Sequence, residues 1–249
     1  MSKKSRSRIK NAFFLSAGVG FLAAGALLLY AAALPMPDLN TFDNRIVVES
    51  TKIYDRTGEV LLYDFHENAR RTVIPFDDIS HHIKNATVAV EDAEFYKHRG
   101  IKPTAIVRAI LVNIGSFGFS QGGSTITQQV VKNSILTSEK KISRKLKEWI
   151  LSVKLERVLK KNEILALYLN ETPYGGNIYG VEDASRLFFG KSAVDITLAE
   201  AAYLAALPQA PTYYSPHGNN GNKLEERKNL VLTRMRELNF IEEEEYTQA

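Results

Sequence analysis

The pattern of apolar and polar positions divides the chain into an apolar N-terminal stretch, a short β region and a long helical region. Residues 12–34, AFFLSAGVGFLAAGALLLYAAAL, contain no charged side chain. As a helix these 23 residues would be about 34 Å long, which is enough to cross the hydrocarbon core of a bilayer. We therefore predict a transmembrane anchor at 12–34.

A basic segment precedes the anchor and predicts its orientation. Residues 1–11 contain Lys3, Lys4, Arg6, Arg8 and Lys10, and such flanks stay on the cytoplasmic side. A cleaved signal peptide is the alternative, because the alanines at 31–33 resemble a cleavage site. The apolar core of a signal peptide is only about 7–15 residues long, so the anchor is favoured. In both cases the rest of the chain is exported.

A β-hairpin is predicted after a short tether. Pro35 and Pro37 end the apolar helix and begin a tether at 35–44. The stretches RIVVESTKIY and VLLYDF are rich in β-branched and aromatic residues and flank DRTGE. This arrangement is typical of two antiparallel strands joined by a turn near Gly58. Residues 72–74 are candidates for a third short strand.

Beyond Phe76 the periodicity is almost entirely helical. Asp77 or Asp78 is predicted to cap a helix that continues through Val90 towards Phe95. Capping boxes predict two further helices, one that begins at Thr125–Gln128 and one that begins at Thr197–Glu200 and ends before Pro208. Asn162 is predicted to cap a third helix. A fourth, long helix is predicted from an apolar stripe formed by Ile142, Leu146, Trp149, Ile150 and Val153.

These elements predict one mainly α-helical domain at 45–217, followed by a charged helical tail at 218–249. Its acidic run, residues 242–245, is expected to be solvated. The composition, 45% hydrophobic and 24% charged, is that of a globular protein. The absence of cysteine excludes disulfides and thiolate zinc sites. A net charge of +4 fits anionic partners without indicating nucleic acid.

Two adjacent acids are the first candidates for chemistry. In VAVEDAEFYKHRG (88–100), a continuous helix would place Glu91, Phe95 and His98 on one face and turn Asp92 about 100° away. An acid beside an aromatic ring loses hydration, which raises its pKa towards the range that is useful for proton transfer. Spacing alone nevertheless favours an ordinary charged helix surface.

Two later stretches have the composition of anion-binding sites. GGST (122–125) precedes a capped helix, where free backbone N–H groups suit a phosphate, although an ordinary loop-to-helix transition has the same appearance. In RKLKE (144–148), Arg144 and Glu148 have the spacing of a surface ion pair. Alternatively, Lys141, Arg144 and Lys145 surround Glu148 and bind a pyrophosphate.

The apolar segment 101–119 has two interpretations that the sequence leaves open. It contains only two charged residues, Lys102 and Arg108, and is interrupted by two glycines, Gly115 and Gly118. It is either an amphiphilic flap that enters the outer leaflet or part of the core.

Four motifs in order resemble those of a known family. EDAEFYKHRG, QGGSTITQQVVKN, RKLKE and EILALYLNETPYGG are similar to the successive motifs of the bacterial peptidoglycan glycosyltransferases (glycosyltransferase family fifty-one). These occur as monofunctional transglycosylases and as the N-terminal half of class A penicillin-binding proteins. The resemblance covers about residues 50–215 and the anchor. It implies a lysozyme-like, mainly α domain with a small N-terminal β-hairpin, preceded by one transmembrane helix, with 101–119 as a membrane-dipping jaw.

The resemblance also implies roles for individual residues. Glu91 matches the general base and Glu148 a second catalytic acid that assists or positions the leaving pyrophosphate. The remaining matched positions are predicted to shape the cleft or bind substrate: Asp92, Phe95, His98, Gly100, Gly123, Ser124, Thr125, Gln128, Gln129, Lys132, Arg144 and Lys145. Tyr168 and Asn170 match a fourth, largely structural motif.

The implied activity is polymerisation of lipid II into β-1,4-linked glycan strands, with inversion and release of undecaprenyl pyrophosphate. The expected partners are lipid II, the growing glycan strand, the membrane and other cell-wall synthesis proteins. No cofactor is required, and a divalent cation (Mg²⁺ or Mn²⁺) at the pyrophosphate is an option. The expected location is the bacterial cytoplasmic membrane, with a single span, a cytoplasmic N-terminus and an extracytoplasmic catalytic domain.

Two other functions remain open from the sequence. A lytic transglycosylase or lysozyme-like hydrolase would use a comparable glutamate, and a non-catalytic scaffold would only recruit partners. The printed sequence lacks the SxN and KTG motifs of a transpeptidase, and its SEKK (138–141) lies in a polar stretch. Its last residues resemble the stretch that leads onward in class A proteins, which is expected of a truncated or shortened member.

Overall fold

The computed structural model describes residues 14–15, 18–22, 25–26, 29–34, 51–57, 61–65, 70–104, 123–134 and 142–249. The predicted tail at 1–11, the tether at 35–44, the turn at Gly58, most of the 101–119 segment and Lys141 lie outside these ranges. The described residues between 14 and 33 are helical. Among all described residues, no helix has both the length and the apolar character needed to cross a bilayer.

The predicted β-hairpin is confirmed. Strand β1 (Thr51–Tyr54) pairs antiparallel with β2 (Leu61–Phe65), and the register shifts between Ile53 and Tyr54. The two strands form a sheet of their own.

A second small sheet was not predicted. It has the order β3-β5-β4 and joins β3 (Arg70–Arg71), β4 (Pro173–Gly175) and β5 (Ile178–Tyr179). Strand β3 runs parallel to β5, and β4 runs antiparallel to it. These strands are too short to produce an alternating pattern that sequence can reveal.

The strand predicted at 72–74 is wrong by a few residues, because the pairing ends at Arg71. The chain that follows is held by a side chain instead. The Ile74 N–H donates to Asn170 Oδ1 (3.1 Å), and Asn170 Nδ2 donates back to the Ile74 carbonyl (3.0 Å). Asn170 therefore has the structural role that the fourth motif implied.

The remaining elements are helical, as predicted. Their bounds are α1 His81–Glu91, α2 Ile126–Ser134, α3 Ile142–Val158, α4 Lys161–Glu171, α5 Val181–Phe189, α6 Leu198–Ala206, α7 Gly221–Glu237 and α8 Glu243–Gln248, with a 3-10 turn at Phe76–Asp78.

Two predicted caps are confirmed and two are wrong. Thr197 and Glu200 form the reciprocal capping box that opens α6, and the box of α2 is described below. Ser80 caps α1, because Asp77 and Asp78 lie in the separate 3-10 turn and the chain is extended at Ile79. Helix α4 begins after Lys160, whose N–H donates to the Glu163 carboxylate, so Asn162 is not its cap.

The core holds the ends of several helices around one cleft. Helix α1 packs against α6 and α7, while α2 packs against α3 and α4. Helix α7, which falls in the predicted tail, buries Leu224, Val231, Leu232 and Met235. The predicted helical tail from residue 218 therefore contributes apolar side chains to the core. The acidic run at 242–245 is exposed, as predicted.

The segment after α1 depends on a glycine. Gly100 has φ +91°, and a Cβ at this position would lie 2.6 Å from the Ser152 carbonyl oxygen of α3. Both the left-handed backbone and the close approach exclude a larger residue.

Gly100→Ala is expected to lower the free energy of unfolding by about 3 kcal/mol, because it adds backbone strain and a clash with rigid helix backbone. Gly176 also has a positive φ (+56°) but has open space around it, so Gly176→Ala should cost only about 1 kcal/mol. Urea denaturation measures both, and equal losses would contradict the close packing at Gly100.

Candidate active site

One cleft collects most of the predicted site residues. It has a volume of about 580 Å³ and lies between the end of α1, the start of α2, Glu148 of α3 and one face of α7. The predicted residues that line it are Glu91, Asp92, Gly123, Ser124, Thr125, Gln129, Lys132 and Glu148.

Glu91 is the last residue of α1 and is mostly buried at the cleft wall. Burial raises its pKa, whereas a hydrogen bond from Gln129 and the charge of Arg227 lower it, and neighbouring Asp92 raises it. Gln129 Nε2 donates to Glu91 Oε2 at 2.7 Å. The carboxylate is therefore held in one orientation with a proton affinity above that of an ordinary glutamate, as a general base requires.

Two buried tyrosines are electrostatically close to Glu91. Tyr168 and Tyr174 are each 2% exposed, and burial raises the pKa of both phenols, with a further contribution from the Glu91 charge. Both side chains are therefore neutral at physiological pH. The aromatic residues within electrostatic range of Glu91 in the described part of the chain thus include these two tyrosines.

Asp92 has an entirely different environment. It is 2% exposed and does not belong to a continuing helix, since α1 ends at Glu91. Its Oδ2 accepts from the Ile126 N–H (3.1 Å) and contacts His98 Nε2 (2.8 Å), while Oδ1 is 2.5 Å from Lys102 Nζ. Asp92 therefore joins the end of α1, the following turn and the start of α2.

The predicted helical face that combines Glu91, Phe95 and His98 is wrong, because the chain leaves the helix after Glu91. Phe95 is fully buried in the core. His98 contacts Asp92 and also accepts from the Gly100 N–H at Nδ1 (3.1 Å). Both residues support the site without lining the cleft.

The start of α2 confirms the capping box but not the backbone anion site. The Thr125 N–H donates to Gln128 Oε1 (2.9 Å), and the Gln128 N–H donates to Thr125 Oγ1 (3.1 Å). The Ile126 N–H is taken by Asp92. These three groups are therefore satisfied within the protein, and an anion in this cleft has to be held mainly by cationic side chains. Gln128 is buried and acts as part of the cap.

The third motif provides such a cation. Lys145 Nζ donates to Ser124 Oγ (2.7 Å) and forms an ion pair with Glu148. Glu148 is 1% exposed, so the lysine compensates a carboxylate that would otherwise be costly to bury. The expected pair between Arg144 and Glu148 is therefore replaced by Lys145–Glu148. Among the described residues, the buried Arg144 Nε has no hydrogen-bond partner.

Sequence reasoning missed a cationic wall on α7. Arg227, Leu230 and Arg234 line the cleft and have the i, i+3, i+7 spacing of one helix face. The Arg227 Nε donates to the Ala206 carbonyl (3.0 Å), and its charge lowers the pKa of Glu91. The sequence does contain a signal for this cationic wall, because Arg227, Leu230 and Arg234 lie on a different helix face from the buried apolar residues 224, 231 and 235. Lys102, which also lines the cleft, was likewise missed.

Asp92→Asn is expected to lower the free energy of unfolding by about 3 kcal/mol at neutral pH, because it removes the charge from a buried ion-pair network. Burial alone would raise the pKa of Asp92, but hydrogen bonds and charges from His98 and Lys102 outweigh it, so the pKa is lowered from 3.8. The stabilisation is complete above pH 3.8 and is lost as pH falls through the lower folded-state pKa.

Urea denaturation of both proteins as a function of pH measures this difference. Asp195→Asn, at an exposed aspartate, is the control and should change little. A penalty for Asp92→Asn that stays constant down to the acid limit would exclude the ionised network.

Several known proteins are similar to this chain in sequence. A family model described as Transglycosylase matches residues 58–236. Penicillin-binding protein 1A of Aquifex aeolicus (strain VF5) is 43% identical over 214 residues, which are 86% of this chain and 29% of that protein. Penicillin-binding protein 1A/1B of Bacillus subtilis (strain 168) is 39% identical over 229 residues, which are 92% of this chain and 25% of that protein. The chain spans less than a third of the length of these relatives.

A crystal structure of penicillin-binding protein 1A from Haemophilus influenzae gives a TM-score of 0.45 with 26% identity, covering 80% of this chain and 20% of that one. This superposition is too loose to support the assignment, which depends on the sequence matches. The family model covers the cleft residues from Glu91 to Arg234. The chain therefore belongs to the transglycosylase family and carries a peptidoglycan glycosyltransferase domain.

Proposed function

We propose that this domain polymerises lipid II into glycan strands, with Glu91 as general base and with Lys145 and Glu148 on the side of the leaving pyrophosphate. The proposal is supported above all by the presence of two carboxylates, Glu91 and Glu148, in one cleft but in different electrostatic environments. Glu91 has a raised pKa and is ion-paired with no cation among the described residues, whereas Glu148 is ion-paired with Lys145. One acid is therefore suited to accept a proton, and the other is suited to orient a cation.

The base acts on the acceptor. Glu91 takes the proton from the 4-hydroxyl of the GlcNAc in incoming lipid II as that oxygen attacks C1 of the terminal MurNAc of the growing strand. The bond from C1 to the pyrophosphate oxygen breaks, and undecaprenyl pyrophosphate leaves with its bonding electrons. Attack opposite the leaving group inverts C1, as in glycosidases that use two separated carboxylates, with a sugar hydroxyl in place of water.

Cationic side chains act on the donor. Negative charge on the pyrophosphate increases as its bond to C1 breaks, so a cation placed there stabilises the transition state more than the ground state. Lys145 is held by Ser124 and Glu148, and Lys132 and Arg234 line the same cleft. The Glu148 carboxylate holds the lysine ammonium group in one direction, which is a positioning role.

Membrane anchoring is part of the proposal. Both substrates carry a prenyl chain, so an enzyme held at the bilayer meets them at high local concentration. We propose that 12–34 spans the cytoplasmic membrane with the basic 1–11 segment inside and the domain outside. Other cell-wall synthesis proteins remain candidate partners, consistent with the longer chains of the relatives.

A divalent cation at the pyrophosphate remains an option in this proposal. Among the described residues, no group of three or more His, Asp or Glu side chains has the arrangement of a metal site. Glu148, the acid expected on the donor side, is engaged by Lys145. The residues present therefore favour a site in which lysine and arginine carry the positive charge.

Glu91→Gln is expected to lower the rate of lipid II polymerisation by about 10²–10⁴-fold, since the amide cannot accept the proton. Labelled lipid II and gel separation of glycan products measure the rate. The variant should unfold at nearly the wild-type urea concentration, and Glu226→Gln on the exposed face of α7 should retain full activity. Near-normal rates in Glu91→Gln would exclude this base. Shortening of preformed glycan would favour a hydrolase, and no reaction in either assay would favour a scaffold.

Gln129→Met is expected to move the acidic limb of kcat/KM to higher pH. The hydrogen bond from Gln129 stabilises ionised Glu91 and lowers its pKa, so its loss raises that pKa further and leaves less base ionised at a given pH. Activity well above the limb should be largely retained. Rates measured across the pH range test this, with Gln248→Met on the exposed α8 as control. An unshifted limb would mean that Glu91 does not determine it.

A further inference from the structure

A second groove, distinct from the cleft, carries a concentration of positive charge. It has a volume of about 640 Å³ and lies between the turn after α1 and the junction of α3 with α4. We call it the cationic groove; its charged lining residues are Lys97, Arg99, Arg157, Lys160, Lys161 and Glu156. None of these was assigned a role in the transfer reaction.

Most of this charge is not neutralised within the protein. Lys161 pairs with Glu156 (2.6 Å) and lies over the Phe95 ring. In the described part of the chain, no carboxylate lies within ion-pair distance of Lys97, Arg99, Arg157 or Lys160. All four are exposed. A cluster of exposed like charges repels itself unless an anionic partner compensates it.

An apolar groove adjoins the cationic groove. It is lined by the α3 stripe Leu146, Trp149, Ile150 and Val153, together with Ala31, Ala32 and Ile101. Lys154 and Arg157 continue the same stripe to the end of the helix, and Arg157 lines both grooves. Apolar and cationic surface are therefore continuous on one side of α3.

The position of the N-terminal segment shows what lies beside this surface. The Lys154 Nζ donates to the Leu34 carbonyl at 2.6 Å, so the last residue of the apolar 12–34 stretch contacts the charged end of the stripe. A bilayer that contains this stretch would end at the same level, where phospholipid headgroups meet acyl chains.

We infer that this side of α3 rests on the membrane and that the cationic groove binds the headgroups of anionic phospholipids. The apolar stripe then faces acyl chains, while lysine and arginine side chains reach the phosphates. An anionic wall polymer would also match the charge, but it would leave the adjoining apolar groove exposed to water. The inference rests on the proposed anchoring and is independent of the transfer reaction.

Trp149 provides a direct test because it is the only tryptophan in the chain and lines the apolar groove. The full chain is reconstituted in vesicles of phosphatidylcholine and phosphatidylglycerol at one fixed ratio. Bromine, a short-range quencher of tryptophan fluorescence, is placed on the acyl chains of one lipid or the other. We expect quenching by brominated phosphatidylglycerol to exceed that by brominated phosphatidylcholine about twofold at equal bromine content, because cations near the surface enrich anionic lipid.

The triple variant Lys97→Gln, Arg99→Gln and Lys160→Gln should abolish this preference, since each cation near an anionic surface contributes about a fivefold preference. Quenching by brominated phosphatidylcholine should persist. The matched control is Lys191→Gln, Lys223→Gln and Arg236→Gln, which removes the same charge outside both grooves and should leave the preference intact.

Three outcomes would overturn the inference. If neither brominated lipid quenches the fluorescence of Trp149, α3 does not contact the bilayer. If both lipids quench it equally, the groove does not select anionic headgroups. Tighter binding of soluble poly(glycerol phosphate) by wild type than by the triple variant, without a lipid preference, would assign the groove to a wall polymer. Lipid II polymerisation in detergent is measured in parallel. The triple variant should keep wild-type rates there, so failure of the proposed function is distinguished from failure of this inference.

Discussion

The buried carboxylate of Asp92 is the interaction on which the site depends. It contacts the turn after α1 through His98, the start of the 101–119 segment through Lys102 and the first N–H of α2 through Ile126. A buried charge is stable only when it is fully paired, so the three segments have to meet for the fold to form. Once they meet, Glu91 and Gln129 are brought within hydrogen-bond distance.

This arrangement separates the roles of two neighbouring acids. Asp92 is surrounded by donors that lower its pKa, whereas Glu91 is desolvated and receives one neutral donor, Gln129. The two environments can differ because α1 ends between Glu91 and Asp92. The backbone turns there, and the two adjacent side chains point in different directions. A reactive carboxylate and a structural one can therefore be consecutive in sequence.

Sequence alone predicted the parts of the molecule that depend on local signals. The β-hairpin, the boxes at Thr125 and Thr197 and the apolar helices follow from periodicity and capping, and they are confirmed. The end of α1 was missed because EDAEFYKHRG contains neither glycine nor proline until Gly100. Its helix is ended by long-range contacts of Asp92, which a local pattern does not show.

The same limit explains the errors within the site. The candidate residues were found by motif order, and eight of them line the cleft. The pairing of Lys145 with Glu148 instead of Arg144 depends on Ser124, which is distant in sequence. The α7 wall was hidden because a helix with many charges resembles a solvated tail until its buried face is known.

Under the proposed function and membrane placement, helix α3 has a consequence for how a lipid-linked substrate would enter. Glu148 lies about 140–160° around the helix from Val153 and Leu146, whereas Lys145 precedes Trp149 by four residues and lies at the border of the apolar side. With the apolar side on the bilayer as proposed, Glu148 and the cleft beside it are raised by about one helix diameter, roughly 10 Å, while Lys145 lies at an intermediate height. In this proposed arrangement a pyrophosphate headgroup would have to rise by less than the thickness of one helix to reach Lys145, and a prenyl tail would remain in the hydrocarbon. In that arrangement the helix would act as a spacer that keeps the cost of substrate extraction low.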